Sequence, residues 1–261
     1  MLNKKQLYIN GCSFTAGDYL PLQETWPILL SKKLNLELIN DSVNGNSIDS
    51  IFTNTISKLI QFPSYENLLV VIGVTWEPRY SVPFGKLLFN ISPADINREE
   101  PKITFGDKVS TDRRVSSPYT FSNEELKKLI DNIKKRPENL FKVLSAFTAF
   151  YSSSVKYDPF LIYNQYLNAT VKMIALQSFF QSYNIDYIFA DFSGVLERDY
   201  LPLDEEHNEK IFLENKIDRS KVINFNKDSF KFTYIDKKTS HPSFDGTKFI
   251  TNKILEKINE Y

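Results

Sequence analysis

Three parts of this sequence carry side chains suited to attacking a carbonyl or moving a proton, and they lie far apart along the chain. Ser13 stands in Gly11-Cys12-Ser13-Phe14-Thr15-Ala16-Gly17, a turn bracketed by glycines directly after the strand-like stretch Gln6–Asn10. A serine at a strand-to-helix turn exposes its hydroxyl while nearby backbone N–H groups point outward, which suits a nucleophile and its oxyanion. The same turn also suits an ordinary helix N-cap or a phosphate-cradling loop. The lysine of a nucleotide-binding phosphate loop is absent, which counts against phosphate. His241, one of two histidines, stands in His241-Pro242-Ser243 before a helical pattern, from where its ring could face the same sheet edge. The other, His207, lies in the charged run Asp204-Glu205-Glu206-His207 and reads as solvated. Cys12 is the only thiol and reads as a small packed hydrophobe.

Such residues act together only if the fold gathers them at one edge. After the first strand, residues 25–34 have helical spacing, with Pro27 in the first turn and Ile28, Leu29, Leu30 and Leu34 on the apolar face. Residues 36–39 read as a second strand, residues 40–47 as a polar loop, and Ile48, Ile51, Ile56 and Ile60 as a helix. Leu68–Val74 is an unbroken apolar run, the pattern of a parallel strand covered on both faces. Strands alternating with helices predict an α/β fold around a parallel sheet, and such sheets bind ligands beyond the carboxyl ends of their strands. That rule brings Ser13, Gly45 and Thr75 together.

Residues 79–157 break the rhythm. Residues 102–109 read as a hairpin, and Ser122 with Glu125 forms a capping-box signature opening a helix through Leu126, Leu129, Ile130 and Ile133. We read this stretch as an insertion in a single domain spanning residues 1–261, either a substrate-facing subdomain or a plain elaboration. The alternation then resumes. A long helix over residues 159–183, predicted to be buried over much of its surface, leads to strands at 185–192 and 221–225 and to a final helix after His241.

Composition narrows the functional classes. With 32 basic and 32 acidic side chains the chain has no net positive charge with which to neutralise phosphates, so nucleic acid is not an expected partner. One cysteine excludes an intrachain disulfide, and one cysteine with two histidines would need carboxylate help to hold zinc. No signal-peptide pattern and no apolar run of about 18 residues is visible, so a cytoplasmic protein without a membrane partner is expected.

Four stretches resemble blocks of the SGNH (GDSL-like) hydrolases, in that family's order. Residues 11–17, with Thr25-Trp26-Pro27 shortly after, resemble the block carrying the nucleophilic serine. Val43-Asn44-Gly45-Asn46-Ser47 resembles the second block, whose glycine N–H helps hold the oxyanion; Val71-Ile72-Gly73-Val74-Thr75 resembles the third, and His241-Pro242-Ser243 with Gly246 the last. The resemblance implies a three-layer α/β/α sandwich with a mostly parallel, flavodoxin-like sheet of about five strands. It also implies a serine esterase working through an acyl-enzyme on Ser13, with His241 as general base, the N–H groups of Ser13 and Gly45 on the oxyanion, and no cofactor or metal. The implied substrate is a small-molecule or carbohydrate ester, O-acetyl sugars among them. An acyltransferase using the same residues, or an impaired glycan-binding module of the same fold, is the alternative.

Two positions depart from the family pattern. Thr75 stands where the third block offers an asparagine amide to the oxyanion; loss of one such donor costs about 2.7–4 kcal/mol of transition-state stabilisation. We expect the Thr75 hydroxyl to reach; Asn46 is the substitute donor and a candidate substrate-binding residue. Lys238 stands where the family places the aspartate that orients the histidine, which leaves Asp236, provided that residues 237–240 bend, or a backbone carbonyl. Arg79, just past the third strand, is a candidate for holding an anionic or hydroxyl-rich part of the substrate, or for a structural ion pair.

Overall fold

The computed structural model describes residues 4–17, 20–75, 80–84, 87–91, 115–116, 159–194, 208–225, 235–236 and 241–260. The chain begins with β1 (Gln6–Asn10), α1 (Ser13–Ala16), α2 (Trp26–Leu34), β2 (Glu37–Asn40), α3 (Ile48–Leu59) and β3 (Leu68–Val74). Three strands follow, β4 (Tyr80–Phe84), β5 (Leu87–Ile91) and β6 (Val115–Ser116). Next come α4 (Pro159–Ser182), β7 (Asp186–Asp191), α5 (Asn208–Glu214), β8 (Val222–Asn224), β9 (Ile235–Asp236), β10 (His241–Pro242) and α6 (Phe244–Asn259).

Five strands form one sheet in the order β2-β1-β3-β7-β8, every neighbouring pair parallel. Counted within the sheet alone this is the flavodoxin-like order 2-1-3-4-5, whose direction of winding reverses between β1 and β3. In sheets of this order the reversal parts the connections above those two strands, and ligands bind at their carboxyl ends.

β3 lies at the centre, and all seven of its residues are buried. Successive side chains of a strand point to opposite faces, so a strand covered on both sides must be apolar throughout. On one face Leu68, Val70, Ile72 and Val74 meet Tyr8, Tyr187 and Phe189, covered by Ile51 of α3 and Tyr166, Met173 and Phe180 of α4. On the other, Leu69 and Val71 meet Leu7, Ile9 and Ile188 beneath Trp26 and Leu30 of α2 and Ile250, Ile254 and Ile258 of α6. The molecule is thus an α/β/α sandwich. Ser47 caps α3 by accepting the Ser50 N–H (3.2 Å), and Ser243 caps α6 by accepting that of Gly246 (3.1 Å), each relieving an orphan donor of a first turn.

α4 differs from its sequence reading. It buries one stripe, Tyr166, Ala169, Met173, Leu176 and Phe180, at three- and four-residue spacing, while Val171 is 47% exposed. Leu167, Ile174 and Phe179 flank this stripe and pack, partly buried, against the same core. β4, β5 and β6 form a separate antiparallel sheet within the expected insertion. The hairpin read at residues 102–109 and the helix read after Ser122 lie outside the described residues. No helix among the described residues is long and apolar enough to cross a membrane.

Ile72, fully buried in the middle layer, and Ile60, 63% exposed at the end of α3, provide a matched pair for measuring this core. Ile72→Ala is expected to lower unfolding free energy by about 2–5 kcal/mol in urea titrations, and Ile60→Ala by at most about 0.5 kcal/mol. Comparable losses would contradict the two-sided burial of β3.

Candidate functional site

The turn holding Ser13 is fixed by a close approach of two strands. An added Cβ on Gly11 would stand 2.2 Å from Thr15 Oγ1 and 3.2 Å from the Gly73 Cα, and one on Gly73 would stand 2.0 Å from Thr15 Oγ1. Thr15, fully buried, therefore fills a slot between β1 and β3 that only two glycines leave open. Cys12 starts α1 from extended backbone, its carbonyl accepting the N–H groups of Thr15 (2.9 Å) and Ala16 (2.8 Å). Its thiol is packed away, in keeping with its sequence reading. Gly17 ends the helix at φ 78°, in the left-handed region. Ser13 is the first helical residue, so its N–H has no intrahelical acceptor. The residue is 5% exposed.

A second loop is stitched to the same turn. The Gly11 carbonyl accepts both the Val43 N–H (3.1 Å) and the Asn46 Nδ2 amide (3.2 Å), so Gly45 is held from both sides beside the serine turn. Gly45 has φ 78°, where a side chain would be strained. Asn10 steadies the other flank, with Oδ1 accepting the Gly11 N–H (2.8 Å) and Nδ2 donating to the Ile51 carbonyl (3.2 Å) and Thr55 Oγ1 (3.1 Å). Asn46 is fully buried, which does not fit the substrate-facing place expected for it; its amide clamps two loops together.

Thr75 follows β3 directly and is 4% exposed. From the last paired rung, Asn10 with Ile72, Ser13 and Thr75 are each three residues onward, so they flank the reversal in winding. Arg79 lies outside the described residues.

His241 and Asp236 are brought together more directly than their spacing suggested. β9 and β10 pair antiparallel with His241 opposite Asp236, so the two side chains leave the same face of one rung, where Cβ atoms are about 4.5–5.5 Å apart. His241 is half-buried and Asp236 exposed. β10 packs against α1, and the Phe14 and His241 rings lie 5.3 Å apart.

Sequence reading passed over a fully buried carboxylate at the end of β7. Asp191 Oδ1 accepts the Ser193 N–H (3.0 Å), the Ser193 hydroxyl (2.8 Å) and the Gly194 N–H (2.8 Å), building a tight turn. That turn holds Phe192, whose ring lies 5.7 Å from Phe14. An Asp followed by Ser and Gly directly after a strand was the available signal. Below the Gly45 loop, the buried Tyr8 hydroxyl faces Asp41, Thr55 and Asn10, and burial pushes it well above the ordinary phenol range. Burial also raises the Asp41 carboxyl, opposed in part by Lys58 and by the Tyr8 hydroxyl.

No protein-family model matches the sequence. Among solved structures the chain is similar to the psychrotrophic esterase EstA from Pseudoalteromonas sp., with 14% identity over 98% of both chains and a TM-score of 0.47. It is similar to the acetyl xylan esterase AlAXEase, with 12% identity over 96% of this chain and 98% of that one and a TM-score of 0.43. A third similarity is to a member of the lipolytic protein G-D-S-L family from Veillonella parvula, with 13% identity over 97% of each chain and a TM-score of 0.35. At 12–14% identity no residue role passes from these proteins to this chain.

Two measurements check the local construction. Gly73→Ala should cost about 1–3 kcal/mol by overpacking, and adding Thr15→Ala should recover stability, because the 2.0 Å clash is with Thr15 Oγ1 and the next neighbour stands at 3.3 Å. Gly11→Ala should not be rescued in this way, since the Thr15 Cβ itself would lie at 2.7 Å; equal rescue at both glycines would refute the slot. For Asp41, a carboxyl raised in the fold favours the native state below its unfolded value, and that contribution is lost as pH rises through the raised native value. Asp41→Asn should therefore raise Tm near neutral pH and change it little at about pH 3, where both forms are uncharged. An identical shift at the two pH values would rule out ionisation as the cause.

Proposed function

We propose that the protein is a serine esterase that cleaves O-acyl esters, with Ser13 as nucleophile and His241 as general base. One observation carries this reading: the strand bearing His241 packs on the helix that begins with Ser13, and Asp236 occupies the rung opposite the histidine. The sequence blocks around Gly11, Gly45, Gly73 and His241 support it. In this scheme Ser13 Oγ attacks the acyl carbonyl while His241 takes the hydroxyl proton. The oxyanion is held by the N–H groups of Ser13 and Gly45 and by the Thr75 hydroxyl, which stands in for an amide. His241 then gives its proton to the departing alkoxide. It next draws a proton from water as that water attacks the acyl-Ser13 ester, and returns it to Ser13 Oγ on release of the acid. Asp236 orients the imidazole and favours its charged form.

Asn46 serves here by clamping the Gly45 loop to Gly11. Arg79 receives the anionic or hydroxyl-rich part of the substrate. The proposed substrate class is a small or carbohydrate O-acyl ester.

Hydrolysis of p-nitrophenyl acetate and labelling by a fluorophosphonate test the scheme. Ser13→Ala should abolish both and His241→Ala should abolish turnover, while Asp236→Ala should lower turnover less. Thr75→Val should lower kcat by up to about 10²–10³-fold if its hydroxyl donates to the oxyanion. Undiminished hydrolysis in the Ser13 and His241 variants would refute the assignment. Acyl transfer to an added sugar alcohol in preference to water would make the protein a transferase, and glycan binding without labelling would make it a binding module.

A further inference from the structure

We propose that Phe14 is a positioning residue that sets the orientation of the His241 imidazole relative to Ser13, an inference that rests on the reading of those two residues given above. The β9–β10 rung and the Ser243 cap fix the backbone around His241. They leave the imidazole its own side-chain torsions, whose staggered wells swing the ring between well-separated positions. Something must select one of these. Phe14 is placed to do so from the nucleophile's own helix: it follows Ser13 directly, and its ring meets that of His241 at 5.3 Å and 42°.

Phe14 is itself held on two sides. Its carbonyl accepts the indole N–H of the fully buried Trp26 at 3.0 Å, which stops α1 from rolling. Its ring rests on Phe192 (5.7 Å, 44°), and Phe192 is stacked on the buried Phe225 (5.1 Å, 19°). His241 therefore sits at the end of a run of rings rooted in the core, each in the offset or tilted geometry aromatic pairs prefer. Asp236 shares the rung of His241 in the hairpin, and Phe14 meets the imidazole from the helix. A branched aliphatic side chain would keep the apolar contact but lose the flat face that excludes the other rotamers.

The test uses the full chain with Phe14→Leu and Phe14→Tyr. With only two histidines present, the His241 ring protons are assignable by NMR through loss of their signals in His241→Ala. Phe14→Tyr should keep their ring-current displacement and the parental kcat on p-nitrophenyl acetate. Phe14→Leu should remove that displacement and lower kcat by about 10- to 100-fold, with KM and the far-UV circular dichroism unchanged. Loss confined to KM would make Phe14 a substrate-contacting residue, and equal loss in both variants would make it merely structural; either overturns the proposal. Unchanged kcat in Phe14→Leu despite moved His241 resonances overturns it as well. Failure of the underlying reading looks different: turnover would then survive Ser13→Ala, whatever the resonances do.

Discussion

The approach of Gly11 to Gly73 is the constraint from which the rest of the site follows. Two parallel strands end side by side, and because neither glycine carries a Cβ, the Thr15 side chain drops between them. That seats α1 on the sheet edge, which puts Ser13 at the rim and leaves the Gly11 carbonyl facing the next loop. Val43 and Asn46 bind to that single carbonyl and bring Gly45 alongside. A bulkier residue at either glycine would lift the helix and unstitch the loop together.

The sheet supplies the level and the hairpin supplies the partner. Burial of β3 on both faces fixes its height relative to β1 rung by rung, so the residues after each strand emerge at matching positions. The α2 and α6 layer brings the histidine across. Thr247 of α6 donates to the Glu24 carbonyl at 2.8 Å, linking the helix that follows His241 to the segment that follows α1. Contacts between residues more than two hundred positions apart thus close the site.

Much of the frame was legible from residue pattern alone. The apolar run at Leu68–Val74 announced a two-faced strand, and the alternation of periods gave the parallel sheet. The β9–β10 pair was not legible. Two-residue strands have no periodicity, and the pairing of Asp236 with His241 on one rung is a tertiary fact hidden behind a spacing of five. The burial of Asn46 was missed for a similar reason: loop composition shows that a side chain is polar but not which carbonyl it will meet. α4 departs from its reading at Val171, which faces outward, whereas Leu167, Ile174 and Phe179 pack partly buried beside the stripe that meets the sheet.

Pairing His241 with Asp236 inside one short ribbon has a mechanical corollary. Backbone pairing ties the two residues together, so any sliding or breathing of that ribbon carries both at once and changes their distance from α1. All the slack of the assembly is thereby collected at a single junction, the seam between ribbon and helix, where aromatic packing rather than backbone pairing sets the stiffness.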